Sequence, residues 1–340
     1  MLFMKKNVLY IGNNLKSKTS NISGIQTLGV LLEKEGHRIY YASSKTNKIV
    51  RLLDMFWNIL KLYNKVDFVL IDTYSTINFY YALIISQLCR FLNLKYIPIL
   101  HGGNLESRLK RSRVLSNLIF KKAYKLVAPS NFLKTVFEKY GNNNIIHIPN
   151  TLIIDNYPFQ NRSSNPPRLL WVRSFSKIYN PKLAIHVFNE VKKQYSNATL
   201  CMVGPDSDGT LREVQELASQ LKLNVKFTGK LTKKEWILIS KEYNIFINTT
   251  NFDNTPVSVI EAMALGLPVV STNVGGLPFL ISNNIDGILV EPKNVNAMVG
   301  AIIKLSSDED NRNKLVSNAR SKVENYDWSE VKHKWEALLS

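Results

Sequence analysis

The sequence of 340 residues is poor in cysteine, histidine and acidic groups: two Cys, five His, and 26 Asp+Glu against 44 Lys+Arg. Each scarcity excludes something. Cys89 and Cys201 cannot build a disulfide framework, so the disulfide-rich secreted class falls away and a reducing compartment is expected. The histidines (37, 101, 147, 186 and 333) stand nowhere at metal-ligand spacing. No Gly-x-Gly-x-x-Gly follows an opening strand, which disfavours a dinucleotide-dependent dehydrogenase. Long apolar runs are missing too, although a spanning helix needs ~20 predominantly apolar residues. The charge-free stretch between Asp72 and Arg90 carries Thr73, Ser75, Thr76, Asn78, Ser86 and Gln87; the one between Glu261 and Asp286 is broken by Gly266, Pro268, Gly275, Gly276 and Pro278. At the start, Lys5 and Lys6 sit inside the apolar run and no small-residue cleavage site follows, so no secretory signal is read. A soluble or peripheral protein is expected.

What is abundant is positive charge. A net charge of +18 makes nucleic acid, an anionic membrane surface and phosphorylated small molecules the partner classes to weigh. The length favours two domains. Short β-branched runs alternate with helical patterns, the rhythm of parallel α/β units. Strands are expected at 7–12, 37–42, 67–72, 96–103, 125–130 and 145–150, and again at 168–174, 198–204, 224–229, 244–250, 267–272 and 287–292. Ile25, Leu28, Leu31 and Leu32 share one face of the first helix. Between the two sets lies an Asn-, Ser- and Pro-rich stretch around Pro149 to Pro167, read as a linker. Residues from about Asp308 to Ser340 read as helical throughout. Two doubly wound halves facing a cleft follow, and ligands of such sheets bind beyond the strands' carboxyl ends.

The densest chemistry lies in NTTNFDNTPVSVIEAMALGLPVVSTNVGG, residues 248–276. Pro256 is placed to open a helix, since the first turn needs no proline N–H. Free amides from Thr255 to Ser258, with Asn254 and Val257 beside them, form a phosphate site at the positive end of the helix dipole. Glu261, within that helix, suits a ribose diol; Asp253, in the loop before it, suits sugar hydroxyls. An ordinary helix-stabilising acid is the competing explanation for either acid alone.

This segment resembles the donor-site signature of glycosyltransferase family 4, the glycosyl transferases group 1 of GT-B fold. HIPN (147–150), APSNFLKTVFEKYG (128–141), WVRSFSKIYNP (171–181) and YDWSEV (326–331) match further co-linear parts of the family. The resemblance implies an acceptor-side Rossmann-like domain over 1–155, a nucleotide-sugar-binding one over 156–325, and a C-terminal helix, 326–340, returning to the first. It implies that Glu261 holds the donor ribose, that Asp253 holds the sugar, and that Arg173 neutralises the leaving diphosphate. The family more often has Glu where Asp253 stands. Its basic loop usually adds a Lys; Lys177 is one place short of that spacing and Ile178 occupies it. Gly24, after Asn21-Ile22-Ser23, half matches the family's Gly pair facing the diphosphate, with a helix cap at Ser23 as the plainer reading. His101, in LHGGN, matches a family His placed against the donor sugar; a structural His is the alternative. Asp206-Ser207-Asp208 reads as a turn rather than a metal site, and no metal cofactor is expected. Transfer with retention follows from the family.

Residues 1–158 carry 22 Lys+Arg and 8 Asp+Glu, a net +14, and residues 159–340 carry 22 and 18, a net +4. The excess is densest at Arg108, Lys110, Arg111, Arg113, Lys121, Lys122 and Lys125. Each such residue near an anionic leaflet contributes about 1 kcal/mol. The expectation is a cytoplasmic enzyme, peripheral at the inner face of the cell membrane, acting on a glycan or lipid-linked acceptor in surface polysaccharide assembly. A nucleotide-sugar 2-epimerase of the same fold stays open. A basic nucleic-acid-binding protein is disfavoured, because no aromatics interleave with the basic runs.

Overall fold

In the first half, hydrophobic runs buried on both faces alternate with amphipathic helices, the pattern a parallel sheet requires. The computed structural model describes residues 5–15, 24–102, 104–163 and 165–340 and divides into two units, Met1–Thr151 with Trp328–Ser340, and Leu152–Asp327. The first unit runs β1 (Asn7–Ile11), α1 (Gly24–Lys34), β2 (Arg38–Ala42), α2 (Lys48–Leu62), β3 (Phe68–Thr73), α3 (Asn78–Phe91), β4 (Lys95–Leu100), α4 (Leu105–Arg111), α5 (Arg113–Phe120), β5 (Leu126–Ala128), α6 (Asn131–Lys139) and β6 (Ile145–His147). The second runs β7 (Arg168–Val172), α7 (Pro181–Gln194), β8 (Thr199–Val203), α8 (Thr210–Gln220), β9 (Val225–Gly229), α9 (Lys233–Ser240), β10 (Ile245–Asn248), α10 (Val257–Ala264), β11 (Val269–Thr272), α11 (Leu277–Leu280), β12 (Ile288–Val290), α12 (Val295–Ser307) and α13 (Glu309–Glu324). A last helix, α14 (Trp328–Leu339), belongs to the first unit.

Each unit is built on a parallel six-stranded sheet, ordered β2-β1-β3-β4-β5-β6 and β12-β11-β10-β7-β8-β9. The order reverses beside β1 and beside β7. Right-handed crossovers therefore put α1 on one face of the first sheet and α2, α3, α5 and α6 on the other. The buried clusters divide the same way. Met55, Phe79, Phe120 and Phe137 pack on one side, while Ile25, Leu32, Trp328 and Trp335 pack on the other. α14 is fixed there by Trp328 Nε1 donating to Glu35 Oε1 at 2.9 Å.

Two expectations are corrected. Residues 308–340 are not one helical run: Asn325–Asp327 separate α13 from α14. Asp327 instead bridges Leu152 and accepts from the Ile154 amide at 2.7 Å, work a helical residue facing solvent would not do. The stretch read as a linker is also more than a connection. Tyr157 and Arg162 are buried in the second unit, and Arg162 donates to the carbonyls of Ser240, Tyr243 and Leu265 at the ends of α9 and α10. The division into units falls at 151/152 and 327/328, a few residues from the expected 155/156 and 325/326.

Candidate active site

In the second unit the chemistry gathers at the carboxyl ends of β7 and β10. The loop after β7 carries Arg173, and the loop after β10 carries Asp253; the two side chains form an ion pair, each largely buried. The guanidinium lies over the Tyr179 ring, 4.0 Å from its centroid. Threonines and amides bind the two loops to each other: Thr249 Oγ1 donates to the Tyr179 carbonyl at 2.9 Å, the Asn251 amide to the Ile178 carbonyl at 2.7 Å, and Asn251 Nδ2 to the Lys177 carbonyl at 3.0 Å. Trp171 Nε1, from β7, donates in turn to Thr249 Oγ1 at 3.0 Å. The pair is thus held by the sheet and not by two free loops.

Asp253 and Asn254 are fixed from a third side by the glycine pair that follows β11. A Cβ on Gly275 would stand 2.1 Å from the Asp253 carbonyl oxygen, and one on Gly276 would stand 1.9 Å from that of Asn254. No side chain fits there. The Gly276 amide donates to the Asp253 carbonyl at 2.9 Å, and the Asp253 Oδ1 accepts from the Asn254 amide at 2.8 Å.

Pro256 caps α10 rather than occupying its first turn, with an extended backbone at φ −68° and ψ 114°. The amides of Val259 and Ile260 donate back to its carbonyl. Those of Val257 and Ser258 are left to face outward, as at any helix start. Val257 is exposed and Asn254 is buried. Thr255 Oγ1, Ser258 Oγ and Arg173 Nε are buried atoms without a hydrogen-bond partner. Native interiors leave few such atoms, and these three, after β7, before α10 and in its first turn, are donors a polar ligand could satisfy.

Glu261 is buried in α10. Its Oε1 accepts from Tyr157 Oη at 2.7 Å and pairs with Lys233, the first residue of α9. Burial, and then the Glu261 charge, push the Tyr157 hydroxyl above its ordinary range, so it remains a donor. Lys177 lies on the same loop as Arg173. It begins a single 3-10 turn, its side chain is exposed and forms no salt bridge among the described residues, and its bonds run through its backbone. Asp208 Oδ2 accepts from the Lys177 amide at 3.0 Å and from Ser176 Oγ at 2.9 Å. Asp206 Oδ1 accepts from the Gly209 amide at 3.0 Å. Residues 206–208 therefore cap the start of α8. The Thr210 hydroxyl, the Lys177 amide and Ser176 hold the Asp208 carboxyl down at about 2.

The first unit has its own cluster. His101, just past β4, sets Nε2 2.7 Å from Asp72 Oδ1 and stacks on Tyr74 at 4.7 Å. The carboxylate oxygen accepts, so Nε2 carries the proton it donates. Tyr10 Oη, from β1, donates to the same oxygen at 3.1 Å, and Asp72 Oδ2 is buried without a partner. Burial and the adjacent Asp72 raise the hydroxyls of Tyr10 and Tyr74. Gly24 opens α1 against this ring: a Cβ there would lie 3.1 Å from His101 Cε1. Asn21, Ile22, Ser23 and Gly103 lie outside the described residues. Beyond β3 and β4, Ser75, Ser107, Arg108, Arg111 and Ser112 line a polar cavity of about 270 Å³.

Residues 154–322 match the family described as glycosyl transferases group 1. The second unit belongs to that family. It is a group 1 glycosyltransferase domain, and its relatives extend the likeness along the chain. The UDP-Gal:alpha-D-GlcNAc-diphosphoundecaprenol alpha-1,3-galactosyltransferase of Escherichia coli is 27% identical over 129 residues, 36% of this chain and 33% of its own. An uncharacterized glycosyltransferase of Methanocaldococcus jannaschii is 26% identical over 301 residues, 82% of this chain and 76% of its own. Three of the curated relatives are matched over only 33%, 35% and 19% of their length. Among solved structures, the Anabaena HepE protein in complex with UDP and glucose has a TM-score of 0.79 at 16% identity, covering 98% of this chain and 99% of that one. The two six-stranded units thus form the GT-B fold.

Sequence reasoning placed Asp253, Asn254, Thr255, Val257, Ser258 and Glu261 in one segment of the group 1 unit, Arg173 and Lys177 in an earlier loop of it, and Gly24 and His101 in the first unit. It missed Tyr157, Lys233, Tyr10, Asp72 and Tyr74. Asp72 carried a usable signal, an acid ending an otherwise apolar strand. Tyr157 carried none, lying in a stretch whose composition reads as a connection.

Proposed function

We propose that this chain is a retaining, metal-independent glycosyltransferase. It moves a sugar from a nucleotide-sugar donor to a glycan or lipid-linked acceptor in surface polysaccharide or glycoconjugate assembly. The observation that carries this reading is the set of buried, unpartnered donors Arg173 Nε, Thr255 Oγ1 and Ser258 Oγ around the start of α10, with Glu261 one turn further on. A nucleoside diphosphate supplies what that set lacks. Its phosphate oxygens accept from Arg173, the two hydroxyls and the amides of Val257 and Ser258, and the helix dipole favours their charge. With Glu261 Oε1 held by Tyr157 and Lys233, its other oxygen is offered to the ribose diol. Gly24, beside His101, is the candidate binding glycine of the first unit, and Lys177 adds charge at longer range.

In the reaction the bond from the anomeric carbon to the departing phosphate breaks, and a bond to the acceptor oxygen forms on the same face. The acceptor proton passes to the leaving diphosphate. Arg173 and the helix amides stabilise the developing charge, the task a cation performs elsewhere, and donors of this kind are worth ~10²–10³ in rate. Asp253 retains lone pairs for sugar hydroxyls after pairing with Arg173. His101, its Nε2 engaged by Asp72, is the candidate catalytic group of the first unit. The reading of a lipid-linked acceptor draws support from the acceptor named for the Escherichia coli relative and from Arg108 and Arg111 around the polar cavity. It places the enzyme at the cytoplasmic face of an anionic membrane. The test is product analysis with a panel of nucleotide-sugars and lipid-diphosphate acceptors, in EDTA. Acceptor-dependent transfer with retained configuration is expected; release of an epimerised free sugar without acceptor contradicts it and favours the 2-epimerase.

A further inference from the structure

Helix α2 is apolar on two opposite sides. Met55, Ile59 and Leu62 point into the core. Ile49, Leu53, Phe56, Trp57, Leu60 and Tyr63 point outward, with Ile49 71%, Leu53 61% and Trp57 66% exposed. At about 100° per residue the outward set falls in one arc of ~120°, roughly opposite the buried one. This exposure does not come from a fraying helix. Asn47 caps α2 by accepting from the amides of Ile49 and Val50, and buried Arg51 donates to the Lys45 carbonyl at 2.7 Å, to Asn13 Oδ1 at 2.9 Å and to the Thr46 carbonyl at 2.8 Å. The neighbouring helices continue the surface. α2 packs on α3, which exposes Ile77, Tyr80 and Ile84, and α3 packs on α5, which exposes Val114 and Leu118. A protein surface rarely leaves so much apolar area open without a partner.

We infer that this face of the first unit docks on a lipid bilayer containing anionic phospholipids, with α2 lying in the interface. Charge decides between occupants. Lys61 flanks the apolar arc, exposed Lys48 opens the helix beside Ile49, the basic run Lys110, Arg111 and Arg113 follows on α4 and α5, and residues 1–158 carry a net +14. A second copy of this chain would press like charges together, whereas an anionic leaflet attracts them. The composition fits the same occupant, since an interfacial helix sets Trp, Phe and Leu into the headgroup boundary with Lys at its margins. The polar cavity lies next to this face, because Arg108 donates to Tyr80 Oη at 3.3 Å and stacks on Phe79 and Tyr80. Docking therefore brings a phosphate-lined leaflet to Arg108 and Arg111. The inference deepens the reading of a lipid-linked acceptor, but its test uses neither donor nor acceptor, so a failure of transfer leaves it standing.

The full chain is floated with vesicles of phosphatidylcholine alone and with phosphatidylglycerol added. Trp171, Trp236, Trp328 and Trp335 are all buried, so tryptophan emission changes report Trp57. Flotation with the anionic vesicles and a blue shift of emission are expected. The Leu53→Glu, Trp57→Glu double variant is expected to lose at least ~10-fold in partitioning, given the apolar area it removes, at an unchanged melting temperature. Should that variant fail to fold, Trp57→Phe is expected to float without the blue shift. Three results overturn the inference: absence of flotation, flotation with unshifted emission, and a vesicle-free dimer that the double variant disperses.

Discussion

Arg173 makes contacts on several sides at once: it pairs with Asp253, lies over Tyr179, and keeps a buried Nε free of partners. A guanidinium so braced presents its remaining donors in a fixed fork, which a lysine cannot imitate. Arg173→Ala is expected to lower transfer ~10²–10³-fold, and Arg173→Lys to recover little of it, read as kcat/KM under one donor concentration series. Asp72 acts at one remove, by fixing the His101 proton on Nε2. An amide in its place can donate to the ring and reverse the tautomer. Asp72→Asn is therefore expected to lower kcat ~10- to 100-fold, the worth of one hydrogen bond to a charged group, with a smaller change in donor KM. Equal loss in both would make Asp72 a packing residue only. Glu261 was legible as an acid inside a helix start, a type and place that suit a ribose diol, whereas Arg173 was legible only through the resemblance of residues 171–181 to the family's basic loop. Tyr157 and Lys233 were not legible. Each reaches Glu261 from a distant segment, and only tertiary packing brings them together.

At the scale of elements, the site depends on one loop being pressed against another. The Gly275–Gly276 pair lets the backbone after β11 touch that of Asp253 and Asn254 directly. Gly276→Ala is expected to destabilise the chain by ~1–3 kcal/mol, the usual cost of overpacking, and to weaken nucleotide binding; urea unfolding and a binding titration check the two effects separately. The turn at residues 206–208 has a pH signature. Asp208 is held at about 2, below the ordinary carboxyl value of ~3.9. A carboxyl depressed on folding binds its proton more readily when unfolded, so its stabilisation is present above ~3.9 and fades as pH falls towards 2. The difference in unfolding free energy between the wild type and Asp208→Asn is expected to be largest near neutrality and to shrink across that window. Strand positions were read from short, near-continuous apolar runs because parallel strands buried on both faces leave that trace. The break before α14 left no trace in the helical pattern and was marked only by the resemblance, which begins a separate helix at 326; Asp327 there holds Leu152 and Ile154.

Across the whole molecule the positive charge is unevenly divided between the two halves. The second half is nearly neutral, and its group 1 domain gathers a few cations, Arg173 and Lys233 among them, around Asp253 and Glu261. The first half carries the excess, spread over helix surfaces and not concentrated at His101. Composition alone could not make this division, since it counts every arginine and lysine alike. The central claim, a nucleoside diphosphate seated at the start of α10 with Glu261 on its ribose, is tested most directly by thermal shift in EDTA with UDP, GDP, ADP and an oligonucleotide. One diphosphate is expected to stabilise the wild type by about 2.7 kcal/mol at a hundredfold excess over its Kd, and Glu261→Ala is expected to abolish that stabilisation while keeping its fold. Stabilisation by the oligonucleotide alone, or an undiminished response in Glu261→Ala, would contradict the account.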